Sequence, residues 1–411
     1  MRILHTADLH LGQILYQYYD RVDEHVYFFN QLEKWVEEFR PDALIVSGDI
    51  FDVAQPSAAT WKMFTRAFVS IRQKAPEMHI VIIAGNHDSA SRLQAHSEVW
   101  ALASTTIIGT PPPPAIDISK DPDRFIVRLP AGFIISLPYM ASSRNDLYLK
   151  LQEYVDKINS NNLPVVMTGH MTATGADMQG HKFDIGNLHN IDPDSLGDKF
   201  DYLALGHIHR PQTIGHSADI FKDEVEYEAP VVRYSGSPLH VSCDETYPHS
   251  VSLVEINERG GAVRIRQLKI DQLRHFKNLP ESEKTFDTEK DAINEIKKFI
   301  KNGSDHCYLR LRFKDSTVLA SDFNNKVYSL LESSGKDLRY NPKHIRVTEK
   351  AEIIPGIENG NDIRLETITQ MENPLDFIRM NTSKFPDLSI EEIEKAFEEI
   401  ETELKSLREE S

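Results

Sequence analysis

Acids and histidines stand at matching places along the first half of this chain, each time where an apolar run stops. Asp8 and His10 follow the run at 2–6 and are one residue apart, which puts both side chains on the same side of an extended segment. Asp49 and Asp52 lie in Gly48-Asp49-Ile50-Phe51-Asp52 after the run at 43–47, and Gly85-Asn86-His87-Asp88 follows the run at 79–84. Gly169-His170 and Gly206-His207-Ile208-His209 close two later runs. Glycine directly precedes the polar group in every case but the first, allowing a sharp turn and close backbone approach. Singly, each piece reads as a turn or a satisfied strand end. Together they bring carboxylates, imidazoles and one amide carbonyl to one rim, more than two cations need. Oxygen and imidazole donors without thiolates suit manganese, iron or zinc better than calcium. Two such ions about 3.5–4 Å apart share a carboxylate, acidify a water and clamp the oxygens of an in-line displacement at phosphorus, so phosphoester hydrolysis is the leading chemistry.

The elements that must position these residues are short β-rich runs at 2–6, 43–47, 79–84, 133–137, 165–168 and 202–205, with helical stretches between several of them. Most are continuously apolar rather than alternating, the pattern of strands covered on both faces, and so of an α/β sandwich with polar loops at its strand ends. Between Pro56 and Pro76, Trp61, Phe64, Phe68 and Ile71 recur at helical spacing. That stripe reads as core first and as a subunit interface second.

A chain of 411 residues exceeds one ordinary core. The expected division is a catalytic domain at 1–275, a small α+β capping domain at 276–352, and a linker with C-terminal docking helices at 353–411. In the cap, Ile293, Ile296, Phe299 and Ile300 mark a helix, Cys307 to Phe313 alternate as a strand, and Phe323 to Leu331 mark a second helix, with a further strand at 344–348. Arg310 and Arg312 fall on the other face of the 307–313 strand and read as solvated charges. The last segment opens on a capping box, Ser389 and Glu392, and carries an apolar stripe from Ile390 to Leu407 within a strongly acidic helix. A helix of that kind reads as a docking element. The loop from Met171 to His189, polar and long after a histidine, suggests substrate gating or DNA contact.

A net charge of −17 argues against coating nucleic acid by bulk electrostatics, though cations at a site or a basic partner reverse the field locally. Cys243 and Cys307, distant and without a CxxC partner, suggest neither a disulfide nor a thiolate zinc site. The amino terminus lacks the apolar stretch of a signal peptide, and no run approaches a membrane span, so a cytoplasmic protein is expected. His5, His25 and His96 belong to no motif and read as ordinary polar residues.

The order D-x-H, GD-x-x-D, GNHD, GH, GHxH resembles the calcineurin-like metallophosphoesterases. The stretches ILHTADLHLG, GDIFD, AGNHDS, GHIHR and YSGSP narrow the resemblance to the DNA double-strand-break repair nucleases, the family of the nuclease subunit of bacterial SbcCD complexes. It covers most of the chain and is strongest to about residue 245. It implies a β-sandwich flanked by helices and two divalent ions, manganese first, with magnesium, iron or zinc as alternatives. One ion would be held by Asp8, His10 and His209, the other by Asn86, His170 and His207, with Asp49 bridging. His87 would serve as general acid or charge stabiliser, its ring held by Asp52, and Asp88 would act from behind or as a turn residue. The implied activity is ATP-dependent double-strand exonuclease and single-strand or hairpin endonuclease. The ATP would belong to a coiled-coil ATPase partner of the SbcC type, since no GxxxxGK[ST] loop occurs here. The implied assembly is a homodimer within a heterotetramer or larger assembly acting on nucleoid DNA. A phosphomonoesterase or cyclic-nucleotide phosphodiesterase with the same ligands is the alternative, and a catalytically idle scaffold the third reading.

Overall fold

The computed structural model describes residues 1–113, 118–142, 144–177, 190–216, 219, 221–242, 245, 247–281 and 284–347. The chain divides into two units, Met1–Thr348 and Glu349–Ser411; the expected linker and docking helix, like Cys243 and positions 178–189 of the loop after His170, lie outside the described residues.

Five strands carry the residues singled out by sequence: β1 (Arg2–Thr6), β2 (Ala43–Ser47), β3 (His79–Ile83), β4 (Val165–His170) and β5 (Tyr202–Gly206). β1, β2 and β3 run parallel in the middle of a seven-stranded sheet, extended by Thr105–Ile108 beyond β3 and by three antiparallel strands, Ser250–Ile256, Ala262–Lys269 and Glu224–Glu228, beyond β1. β4 and β5 are the parallel centre of a six-stranded sheet. Parallel register decides where the loops go. Thr6 pairs with Val46, Ser47 with Ile83 and Gly206 with His170, so each sheet releases its polar loops at one edge.

The two sheets stack. Ile3, Ala43, Ile45 and Val81 face Ile134, Val166, Tyr202 and Ala204 across a buried middle layer. Alternate residues of the same strands, Leu4, Leu44, Val46, Ile80 and Ile82, point outward against α1 (Val22–Phe39) and α2 (Ala58–Lys74). Met167, Leu203 and Leu205 do the same on the other side against α3 (Asn145–Ile158). Four layers result, which is why most positions of these strand runs are apolar and few alternate. The Trp61–Ile71 stripe belongs to this packing: Phe64, Phe68 and Ile71 are fully buried, and Trp61 lies against Phe51 with ring centroids 4.5 Å apart. Core packing thus accounts for Phe64, Phe68 and Ile71, while Trp61 is partly buried at the edge of the same cluster.

A second, separate core gathers Leu309, Leu311, Phe313, Ile296, Phe323, Val327 and Leu331. Here three parallel strands, His275–Leu279, His306–Lys314 and Asp337–Val347, are linked through α4 (Glu289–Asn302) and α5 (Phe323–Glu332). Arg310 and Arg312 alternate with the buried residues of the middle strand. This unit is tied to α1 by polar contacts. Buried Tyr308 donates its hydroxyl to Glu24 at 2.7 Å, and Glu24 pairs with buried Arg21 at 3.0 Å. Arg274 binds both Asp23 and Asp337, and the Tyr340 backbone N–H donates to the Tyr19 hydroxyl at 3.1 Å.

Candidate dinuclear metal centre

Three of the five strand-end loops, those after β1, β2 and β5, are forced into an unusual turn. Asp8, His10, Asp49 and His207 all have positive φ, at 53°, 45°, 49° and 97°, a region that costs non-glycine residues energy and that concentrates at functional sites. Glycines make the close approaches possible: Gly48 has φ +88° and a Cβ there would overlap the His170 ring, and a Cβ on Gly85 would overlap the Asp49 carboxylate. Asp88 then ties two of the loops together. Its carboxylate accepts from the backbone N–H of Gly85 at 2.8 Å, Phe51 at 2.9 Å and Ile50 at 3.1 Å, joining GNHD to GDIFD.

All the residues nominated by sequence converge on one pocket. Donor atoms of Asp8, His10 and His209 lie within 4.8 Å of one another, as do those of Asp49, His170 and His207 and those of His10, Asp52 and His87. His10 Nε2 and His209 Nε2 are 3.2 Å apart, and the Asp49 carboxylate stands between the first two groups, 3.9 Å from His10 Nε2 and 3.3 Å from His170 Nε2. The Asn86 carbonyl oxygen is 3.0 Å from both His170 Nε2 and His207 Nδ1. Backbone N–H groups fix the carboxylates, His207 donating to Asp8 Oδ1 and His87 to Asp49 Oδ1, each at 2.9 Å. Asp8, His10, Asp49, His170 and His209 are buried, whereas Asn86 and His87 are exposed. The pocket is thus closed at the back and open along the Asn86–His87 side.

One nominated residue works through a different atom. Asp52 meets the His87 ring with its main-chain carbonyl, 2.9 Å from Nδ1, and turns its carboxylate to His10 Nδ1 at 3.2 Å. The expectation that this acid's side chain holds His87 is corrected accordingly: the turn after Asp49 points the carbonyl at His87, leaving the carboxylate on the His10 side.

The electrostatics set buried carboxylates against buried imidazoles. Burial, the largest effect, raises Asp8 above the usual carboxylate range, with the His170 and Asp49 charges acting on it in opposite senses. Burial opposes ionisation of Asp49 too, yet the imidazolium character of His170, His10 and His87 holds it well below that range. His170 would be lowered by burial alone, but Asp49 and Asp8 carry it up to about 9. A pair of divalent cations fits this donor set. Asp8 Oδ2 is buried with no hydrogen-bond partner, and nitrogens of different rings face one another across the pocket, an arrangement that oxygen- and nitrogen-binding cations relieve.

Sequence reasoning passed over several contributors. His25 is buried, its ring nitrogens 2.9 Å from the carbonyls of Arg21 and Leu9, and so it braces the loop holding Asp8 and His10. Ser47 offers its carbonyl to His170 Nδ1 at 2.8 Å, and Glu245 places Oε1 3.7 Å from His209 Nδ1. None carries a local signal, because the contact each makes toward the site, His25 with Leu9, Ser47 with His170 and Glu245 with His209, joins stretches far apart in the chain.

A family model described as calcineurin-like phosphoesterase matches residues 1–211. Among curated proteins, the SbcD component of the nuclease SbcCD from Escherichia coli strain K12 is 34% identical over 266 residues, 60% of this chain and 62% of that protein. The proteins of the same name from Rhodobacter capsulatus and Bacillus subtilis are 31% and 30% identical, over 64% and 62% of this chain and 67% and 66% of their own lengths. The match thus spans less than two thirds of the E. coli relative. A solved dimetal phosphatase from Danio rerio aligns over 65% of this chain and 98% of its own at 12% identity and a TM-score of 0.36, too low to carry weight.

Proposed function

The chain belongs to the calcineurin-like phosphoesterase family, and from that membership we propose that it is the metal-dependent nuclease subunit of an SbcCD-type complex, hydrolysing DNA phosphodiesters. The observation that carries this reading is the convergence of Asp8, His10, Asp49, Asn86, His170, His207 and His209 on one pocket, with His87 on its open side. The first ion is assigned to Asp8, His10 and His209 and the second to Asn86, His170 and His207, with Asp49 between them; manganese is the proposed metal. Bound there, the pair would activate a water and neutralise charge on the phosphoryl oxygens.

The chain's own residues do the rest. His87, with Nδ1–H held by the Asp52 carbonyl, keeps Nε2 for the proton that passes to the leaving oxygen as the P–O bond breaks. Asp52 additionally holds His10 through its carboxylate. Asp88 keeps the His87 loop in register with Asp49 by its backbone hydrogen bonds. The unit at 276–352 serves as a cap that positions duplex ends over the open side.

DNA grip and ATP binding fall to a coiled-coil ATPase of the SbcC type, reached through the acidic segment at 389–411. A second copy of the chain docks on the groove of about 490 Å³ between α1 and α2, lined by Val26, Phe29, Met63 and Ala67, with Val22 and Val26 half exposed beside it. Among the described residues no helix is long and apolar enough to cross a membrane, and a cytoplasmic, nucleoid-associated location is proposed. The test compares manganese-loaded protein on hairpin-ended duplex DNA and on a small chromogenic phosphodiester, with and without the ATPase. DNA cleavage stimulated by the partner with ATP is expected. Hydrolysis of the small ester alone, with DNA untouched even in the complex, would move the assignment to a small-ester phosphodiesterase.

A further inference from the structure

The imidazoles of the pocket are backed differently. His170 donates Nδ1–H to a neutral acceptor, the Ser47 carbonyl at 2.8 Å, with Asp8 Oδ1 further off at 3.9 Å, whereas His10 has the Asp52 carboxylate 3.2 Å behind its Nδ1. His209 has Glu245, whose Oε1 lies 3.7 Å from its Nδ1 while its Nε2 faces His10. Glu245 is an unusual residue to find there. It is 6% exposed, and among the described residues the basic side chains within 4 Å of its oxygens are imidazoles, those of His209 and His249. A carboxylate buried without a guanidinium or ammonium is costly unless its oxygens are held and its charge is used. Its oxygens are held, by the backbone N–H of Val241 at 3.1 Å and of Ser242 at 3.2 Å. His249 closes the far side with Nε2 3.4 Å from Oε2, and its own ring is fixed by donation from Nδ1 to the Ser237 carbonyl at 2.7 Å.

A histidine that binds a metal through one nitrogen generally gives its other N–H to a carboxylate or carbonyl, which fixes the tautomer and strengthens the ligating nitrogen. Resting on the dinuclear reading above, we propose that Glu245 is the positioning residue of His209, accepting its Nδ1 proton so that Nε2 is presented to the first ion. The 3.7 Å separation lies outside hydrogen-bond range, and the role requires the His209 ring to turn toward Glu245 when a cation binds. A difference between the two centres follows. Both imidazoles of the first ion, His10 and His209, are backed by carboxylates, while the second ion has His170 backed by a carbonyl. Loss of the Glu245 charge therefore weakens one site selectively.

The test titrates Mn²⁺ alone into the full chain by calorimetry, with electron paramagnetic resonance to distinguish isolated from spin-coupled ions. For Glu245→Gln, the affinity of one of two Mn²⁺ falls about 10- to 100-fold, the size expected for losing such a partner. The other ion changes less than about threefold, the spin-coupled signal is lost at limiting metal, and the metal-free melting temperature holds. In a His209→Gln background the same substitution lowers affinity by less than about threefold more, because the ring it acts through is gone. Unchanged affinity at both sites overturns the proposal, as does an equal loss in the His209→Gln background. Should Glu245→Gln not fold, Glu245→Asp keeps the charge and withdraws it by a methylene; selective weakening of one ion supports the role, and wild-type affinity at both sites overturns it. Wild-type protein that takes up fewer than two Mn²⁺ removes the dinuclear reading itself, whereas two ions bound with the same two affinities in wild type and Glu245→Gln remove only this role for Glu245.

Discussion

Arg274 is where the small parallel-sheet unit is fastened to α1, and replacing it with methionine tests how that unit serves the pocket. Its side chain is 4% exposed and donates through Nε to Asp337 at 2.8 Å and through Nη2 to Asp23 and Asp337, with Nη1 3.9 Å from Glu24. The guanidinium holds both aspartates below the usual carboxylate range against the effect of their partial burial. A fully buried pair costs about 3–5 kcal/mol when one partner is removed. Here the Asp23 and Asp337 side chains are 45% and 34% exposed, so water takes up part of their charge, and the loss falls to about 2–4 kcal/mol. The Tyr340 amide reports it directly, because its acceptor is the Tyr19 hydroxyl across the contact and exchange requires the contact to open. Arg274→Met therefore speeds hydrogen exchange at Tyr340 about 30- to 1,000-fold, with the amides of β1 and β2 unchanged. Cleavage of DNA drops while hydrolysis of a small phosphodiester persists. Tyr340 exchange within about threefold of wild type would refute the fastening role, and equal loss on both substrates would refute the link to DNA.

Three further outcomes follow from the site. His87→Ala retains metal and loses about 100-fold or more in turnover, whereas Asp49→Ala loses metal, as elemental analysis of both purified proteins shows; equal metal loss contradicts the division of roles. In the metal-free protein His170 is held charged up to about 9, and a cation must displace that proton, so Mn²⁺ affinity rises with pH from 6 to 9 with a slope approaching one proton or more per ion. A pH-independent affinity in calorimetry contradicts it. Deleting residues 389–411 weakens capture of the ATPase and spares unassisted hydrolysis of a small ester; normal co-purification of the truncated protein places docking elsewhere.

The legible parts of this fold were those written in consecutive residues. Continuous apolar runs such as Ala43–Ser47 announced strands covered on both faces, and the glycine-led polar groups after them announced the rim. The strand His275–Leu279 was missed because it is an edge strand with a single buried residue, and Asp337–Val347 began well before its expected start at 344 because its first half alternates around Tyr340 without a long apolar run. The direction of a side chain was harder still. Asp52 showed its position but not which of its oxygens meets His87, since that is set by the φ of the turn rather than by residue type. Contacts such as Tyr308 with Glu24, Arg274 with Asp23 and His25 with the Leu9 carbonyl join distant stretches and leave no periodicity to read.

The central claim is that this pocket takes a pair of cations. A crystal grown with manganese and measured at the manganese absorption edge tests it most directly. Two anomalous peaks about 3.5–4 Å apart are expected, one against His10 and His209 and the other against Asn86, His170 and His207, with Asp49 touching both. A single peak, or none at saturating manganese, would contradict it.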